Sequence, residues 1–263
     1  MHFNFTFSIL KIIPLNEGSF TVDKTKVFIP FDETSDELRN RPVGSLLVEV
    51  QPFLVITDQD ILLLDTGLGF TNPNGVLQIH QRLMDAGINP SEVTRVLMSH
   101  LHKDHSGGVG LIDKTSGDCR LAFPGAKYYV QQKELEYALG EGSASYTKKD
   151  IQVLQGSAQT VLIDGNGDID GYIHYEMTSA HSPFHQVFWI TEGSNKIFFG
   201  GDDAPQLNQM KKKYIAKYDF DGRKCMELRQ EWWKTGHEEG WTFLFYHDIK
   251  APTYTGSIGS LPA

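Results

Sequence analysis

Cysteine is scarce: Cys119 and Cys225 are the two thiols in 263 residues. Two are too few for a disulfide framework and nothing in their context pairs them, so a reducing compartment is the expectation. An excess of base is missing too, with 24 Lys and Arg against 33 Asp and Glu and a net charge of −9. That balance argues against nucleic acid as the main partner. It leaves an anionic small substrate open, because a bound metal reverses the local sign. No stretch approaches the ~20 apolar residues of a membrane span. The apolar-looking start, Phe3 to Ile9, alternates with period two like a strand, lacks a preceding basic segment and is interrupted by Lys11. The expectation is a cytoplasmic protein, monomer or homodimer, that meets a small molecule and neither a membrane nor nucleic acid.

Repeats, low-complexity segments and linker-like compositions are also lacking, so residues 1–263 read as one domain. The hydrophobic share of 40% and charged share of 22% are those of an ordinary globule. Strand-like runs fill the first third: Leu46 to Val50, Phe53 to Thr57 and Ile61 to Leu64, then Val93 to Met98. Helix patterns cover Gly75 to Ala86, with Gly87 as its stop, and Gln131 to Leu139, ended by Gly140. Later strands are expected over Lys127 to Val130, Thr160 to Ile163, Tyr172 to Met177, Val187 to Thr191, Lys196 to Phe199 and Trp241 to Phe245. The cluster Asp164 to Asp168 reads as a turn, and Lys224 to Glu239 as a last helix capped by Gly240. Strands in two batches, each followed by helices, favour two packed sheets with helices outside.

The most informative stretch is Ser99-His100-Leu101-His102-Lys103-Asp104-His105-Ser106-Gly107-Gly108. It packs imidazole and carboxylate donors directly after a buried strand, a set that suits zinc, iron or manganese. Solvated loops gather histidines by chance, but three more donors, His181, Asp202 and His247, each follow a strand-like run. Ligands delivered from strand ends onto one rim are how a rigid scaffold builds a site. The glycines Gly107 and Gly108 are expected to let the chain turn away tightly.

His100-Leu101-His102-Lys103-Asp104-His105 resembles the HxHxDH signature of the metallo-β-lactamase superfamily. Leu64-Asp65-Thr66-Gly67, Ala180 to His185, Phe199-Gly200-Gly201-Asp202 and Tyr246-His247-Asp248 resemble its other motifs, in the same order. The resemblance implies an α/β (α+β) fold, the four-layer αββα sandwich, with two divalent ions: zinc first, iron or manganese as alternatives. His100, His102 and His181 would hold one ion; Asp104, His105 and His247 the other; Asp202 would bridge them. Two ions ~3.5–4 Å apart lower the pKa of a shared water towards ~7, giving hydroxide for attack on a small ester or lactone. Asp104 and Asp202 are the expected catalytic carboxylates, and Asp65 is expected behind a ligand imidazole.

Within the superfamily the chain looks most like the lactonase-type enzymes. These usually carry a tyrosine three residues after the bridging aspartate; here that position is Pro205. Hydrolysis of an organophosphate or phosphodiester at the same site is one alternative. A mononuclear iron persulfide dioxygenase is another, opposed by the full ligand set, and a non-catalytic metal-binding protein is a third. Specificity is expected from 16–42 and 203–223, with Phe20, Phe28, Phe31 and Phe184 as candidate pocket walls. His80, His174 and His237 read as structural, and Lys211-Lys212-Lys213 as a solvated face.

Overall fold

A computed structural model describes residues 10–112 and 117–257; the strand expected over Phe3 to Ile9 lies outside them. Two six-stranded sheets dominate. The first runs in the order Lys11–Pro14, Phe53–Ile56, Ile61–Leu64, Arg95–Leu97, Lys127–Gln131, Thr160–Ile163. Its first three strands are antiparallel and the rest parallel. The second runs Gly167–Ile169, Ile173–Met177, Gln186–Glu192, Asn195–Phe199, Thr242–Leu244, Thr253–Thr255.

Side-chain alternation along a strand decides what each face touches. Leu62 and Leu64 point into a core shared with Phe188, Ile190 and Phe199 of the second sheet. Leu63, between them, joins the opposite core with Leu54, Val96 and the helix residues Ile79, Leu83 and Leu135. Apolar on both faces, Ile61-Leu62-Leu63-Leu64 therefore reads as an unbroken run, as central strands covered on both sides do. The outer face of the second sheet packs Val187, Trp189 and Phe198 against Trp232 and Trp233 of the helix Gly222–Glu239. The layers are helix, sheet, sheet, helix, as expected. Each fully buried Leu in these cores stabilises the fold by roughly 1.5–3 kcal/mol.

Several boundaries shift. The first helix covers Gln78–Asp85 only, and the tight antiparallel pair Gln186–Glu192 and Asn195–Phe199 turns through Gly193 and Ser194. Gly240 ends the last helix at φ 71 in the left-handed region, where a glycine carries no side-chain penalty. The Asp164 to Asp168 cluster is not wholly a turn, because Gly167–Ile169 forms an edge strand against Ile173–Met177. Both Trp232 and Trp233 are buried. The segment 16–42, expected to carry specificity, contains Gly18–Val22 and Phe28–Pro30, which with Leu46–Val50 make a three-stranded sheet. Short strands hidden among Asn, Gly, Asp and Pro give too little periodicity to be seen.

Candidate metal centre

The register of the sheets places the site. Leu64 pairs with Leu97, so the parallel strands Ile61–Leu64 and Arg95–Leu97 deliver Asp65 and His100 to the same rim. Across the second sheet Tyr175, Phe188, Phe199 and Leu244 stand in line. The chain leaves three of those strands in one direction, toward His181, Asp202 and His247. All seven sequence-predicted donors converge in two groups: His100, His102, His181 and Asp202 in one; Asp104, His105 and His247 in the other. Within each group the donor atoms lie within 4.8 Å of one another.

Asp202 stands between the groups. Its Oδ2 is 3.2 Å from His181 Nε2, and its Oδ1 is 2.9 Å from His247 Nε2 and 3.2 Å from His105 Nε2. Asp104 Oδ2 is 3.5 Å from His247 Nε2 and 3.7 Å from His105 Nε2. His100 Nε2, His105 Nε2 and Asp202 Oδ1 are buried and have no hydrogen-bond partner of proper geometry, despite the close approach of the last two. Buried polar atoms left this way are costly unless something binds them, and a nitrogen–oxygen donor set of this kind suits a divalent metal.

The other ring nitrogens are occupied. His105 Nδ1 is 2.7 Å from Asp65 Oδ2, His181 Nδ1 is 2.9 Å from Asp219 Oδ1, and His247 Nδ1 is 2.6 Å from the Glu49 carbonyl. Each contact fixes the tautomer that leaves Nε2 bare toward the centre. Electrostatics follow the same division. Burial opposes charge on His105, yet the Asp202, Asp104 and Asp65 carboxylates hold its proton well above the usual range. His181 and His247 are raised too, against burial, chiefly by Asp202. Burial and the surrounding imidazoles push His100 and His102 well below. Asp202, despite burial, is held well below the carboxylate range by His247, His105 and His181.

The supports are built locally. Asp65 ends its strand at φ 59 and is fully buried; its Oδ1 accepts the Ser99 N–H at 2.7 Å and its Oδ2 the Ser99 hydroxyl at 2.6 Å. Thr66 donates from N and Oγ1 to the His105 carbonyl at 2.7 and 3.0 Å. Gly107 and Gly108 serve a different purpose from the one expected. Gly107 is helical at φ −60, and a Cβ there would lie 2.2 Å from the Leu68 carbonyl; at Gly108 it would lie 2.2 Å from that of Thr66. Close packing of the two motif loops, not a sharp turn, requires them.

Four supporting residues, Asp203, Glu134, Asp219 and Tyr218, were not singled out from the sequence. Asp203 accepts the His181 N–H at 2.7 Å and contacts Thr178 Oγ1 and, at 3.0 Å, His185 Nδ1. His185 Nε2 in turn accepts the Asp202 N–H at 3.2 Å, which places it behind the site and outside the donor groups. Glu134, fully buried, accepts the Leu101 N–H at 2.9 Å and the Tyr146 hydroxyl at 3.2 Å. Asp219 and Tyr218 come from the segment flagged for specificity. Asp203 directly follows a motif aspartate, a signal that was available; the others act across long sequence separations and leave none.

A cavity of about 700 Å³ opens over the donors, lined by the small sheet on one side and by 202–220 on the other. Of the four phenylalanines considered as walls, only Phe28 lines it; Phe20 and Phe31 are buried core. Lys212 lines it as well, whereas Lys211 covers the Trp233 and Tyr254 rings. His80 packs on Phe123, His174 sits among Asp168 and Glu176 at the surface, and His237 contacts the Trp233 carbonyl, so all three are structural. No helix among the described residues is long and apolar enough to cross a membrane.

Comparison with known proteins agrees with this geometry. The N-acyl homoserine lactonase AttM of Agrobacterium fabrum (strain C58 / ATCC 33970) is 33% identical over 143 residues, covering 50% of this chain and 49% of AttM. The match thus spans about half the length of that relative. A Staphylococcus aureus protein described as a "probable metal-dependent hydrolase" superposes with a TM-score of 0.75 at 20% identity, over 95% of this chain and 93% of its own. AidC, a dizinc quorum-quenching lactonase in complex with a product, superposes with a TM-score of 0.69 at 17% identity, over 96% and 95%. At such identities these two speak for the fold alone. The family profile of the metallo-beta-lactamase superfamily matches residues 47–231, well over half of the sequence, and the chain belongs to that superfamily.

Proposed function

We propose that this chain is a dinuclear metal-dependent hydrolase of small esters or lactones. The observation that carries the reading is Asp202, whose two oxygens each face one group of donors, with bare imidazole nitrogens on both sides. His100, His102 and His181 would hold one ion and Asp104, His105 and His247 the other, with Asp202 shared. Zinc suits this set, as in dizinc AidC, and iron or manganese are the alternatives. Such ions, when bound, polarise a substrate oxygen and acidify water.

The chain's own groups do the rest. Asp65, Asp219 and the Glu49 carbonyl orient the imidazoles, and Asp104 is placed at the cavity to accept a proton from the attacking water. Tyr218 supplies a neutral donor in the absence of a tyrosine at Pro205. It lines the cavity with its ring 6.2 Å from His181, and its Oη accepts from Gln209 Nε2 at 3.4 Å, leaving the phenolic hydrogen for a substrate oxygen. Burial pushes that phenol up, so it stays protonated. The hydroxyls of Tyr146 and Tyr246 are committed to Glu134 and to the Asp104 carbonyl. The lactonase activity named for AttM motivates lactones as first substrates. The test is a panel of esters, lactones and phosphotriesters given to metal-loaded protein. Turnover of an ester or lactone that His247→Ala abolishes is expected; turnover unaffected by that change would reject the reading.

A further inference from the structure

The uncommitted charges of the cavity are all of one sign. Its acidic residues are Asp104, Asp202 and Asp219, and each is engaged by an imidazole. Its cationic residues are Lys26, Lys103 and Lys212. Among the described residues none of these three makes an ion pair or a side-chain hydrogen bond. In a chain of net charge −9, a cavity whose free charges are all ammonium groups is a deliberate local reversal.

Lys26 is the best placed of them. It is half-buried, whereas Lys212 is exposed. It sits at φ 58 in the turn between Gly18–Val22 and Phe28–Pro30, a left-handed conformation that is unfavourable for a non-glycine residue. The turn holds that conformation: Lys26 N donates to the Asp23 carbonyl at 3.0 Å, and Asp23 Oδ1 accepts from Thr25 N at 2.8 Å and Thr25 Oγ1 at 2.5 Å. The point from which the lysine stem leaves the backbone is therefore fixed. It lines the same cavity as the donors His102, Asp104, His181, Asp202 and His247. The same small sheet presents Val22, Phe28, Leu46 and Leu47 to the cavity, an apolar wall beside the cation.

We propose that the substrate is an amphiphilic ester or lactone carrying an oxyanion group, a carboxylate or a phosphate, and that Lys26 binds that group while the apolar part lies on the small sheet. This deepens the hydrolase reading of the same cavity and rests on it. An ammonium–oxyanion contact of this kind strengthens binding by about fivefold or more.

The test compares 4-acetoxybenzoate, 4-acetoxyphenyl phosphate and the neutral methyl 4-acetoxybenzoate on metal-loaded wild type, Lys26→Met and Lys26→Arg. The wild type is expected to favour one of the anionic esters, and which one separates carboxylate from phosphate. Lys26→Met should raise KM for that ester about fivefold or more, leave kcat near wild type and leave the neutral ester unchanged; Lys26→Arg should retain most of the preference. No preference in the wild type, or an equal loss on charged and neutral esters, overturns the proposal. Calorimetric binding of 4-hydroxybenzoate and phenyl phosphate to the same proteins is read alongside. Absence of all turnover would reject the hydrolase reading, whereas tight-to-weak loss of anion binding in Lys26→Met would still support the lysine's role and unchanged binding would reject it.

Discussion

Replacing Asp65 by Asn isolates the electrostatic and tautomeric role of one fully buried carboxylate. Asn is nearly isosteric and tolerates the left-handed φ of 59 found there, so the backbone has no reason to move. Asp65 accepts three hydrogen bonds: from Ser99 N at 2.7 Å, Ser99 Oγ at 2.6 Å and His105 Nδ1 at 2.7 Å. An amide satisfies one side only. If its oxygen stays on Ser99 N, the NH2 group faces His105 Nδ1, drives the proton to Nε2 and blocks the atom that should ligate. If the amide flips, NH2 meets the Ser99 N–H donor. Either arrangement should weaken the ion held by Asp104, His105 and His247 about 10- to 100-fold, roughly 1.4–2.8 kcal/mol. Titration against a chromophoric chelator reads this directly, with circular dichroism to confirm the fold. Two ions retained at affinities within about threefold of wild type would refute the reasoning.

Further perturbations test the surrounding claims. His102→Ala and His247→Ala strike different donor groups, and each should remove most of one ion and nearly all turnover, read by elemental analysis and initial rates. Tyr218→Phe should leave metal content unchanged while lowering kcat about tenfold, the cost of a lost hydrogen bond to the reacting oxygen. Metal uptake by His105, His181 and His247, whose protons are held above the usual imidazole range, should release protons and weaken as pH falls, measurable by calorimetry in buffers of different ionisation heat. Burial raises Glu17 from its ordinary 4.5 to about 7, with Oε1 unpartnered and Oε2 accepting the Leu68 N–H at 2.8 Å. Its folded pKa exceeds the unfolded one, so its contribution is full below pH 4.5 and lost as pH rises through 7, roughly 3 kcal/mol in all. Glu17→Gln should flatten the pH dependence of the unfolding free energy across that window; an unaltered slope would assign it elsewhere.

The donor set was legible because its chemistry is concentrated: His100, His102, Asp104 and His105 crowd one loop, and each remaining donor follows a run of strand formers. The layers were legible for a similar reason, since unbroken runs such as Ile61 to Leu64 occur where both faces are covered. What supports the site was less visible. Glu134 reaches Leu101 N from a helix 33 positions along the chain, and Asp219 reaches His181 from 38 positions away. A lone Glu on an amphipathic helix carries no mark of being buried. Of the small sheet, Leu46–Val50 was read as a strand, whereas Gly18–Val22 and Phe28–Pro30 escaped notice because they are three to five residues long and bordered by turn formers such as Asp23. The role of Gly107 was misassigned because sequence does not say whether a glycine serves conformation or close approach.

The central claim is that two metal ions share Asp202. It is tested most directly by elemental analysis of protein purified without chelators, giving the ions present and their number per chain. The account predicts close to two ions of zinc, manganese or iron, falling to about one or fewer in Asp202→Ala. A wild-type chain that holds no metal, even after incubation with zinc, would contradict it.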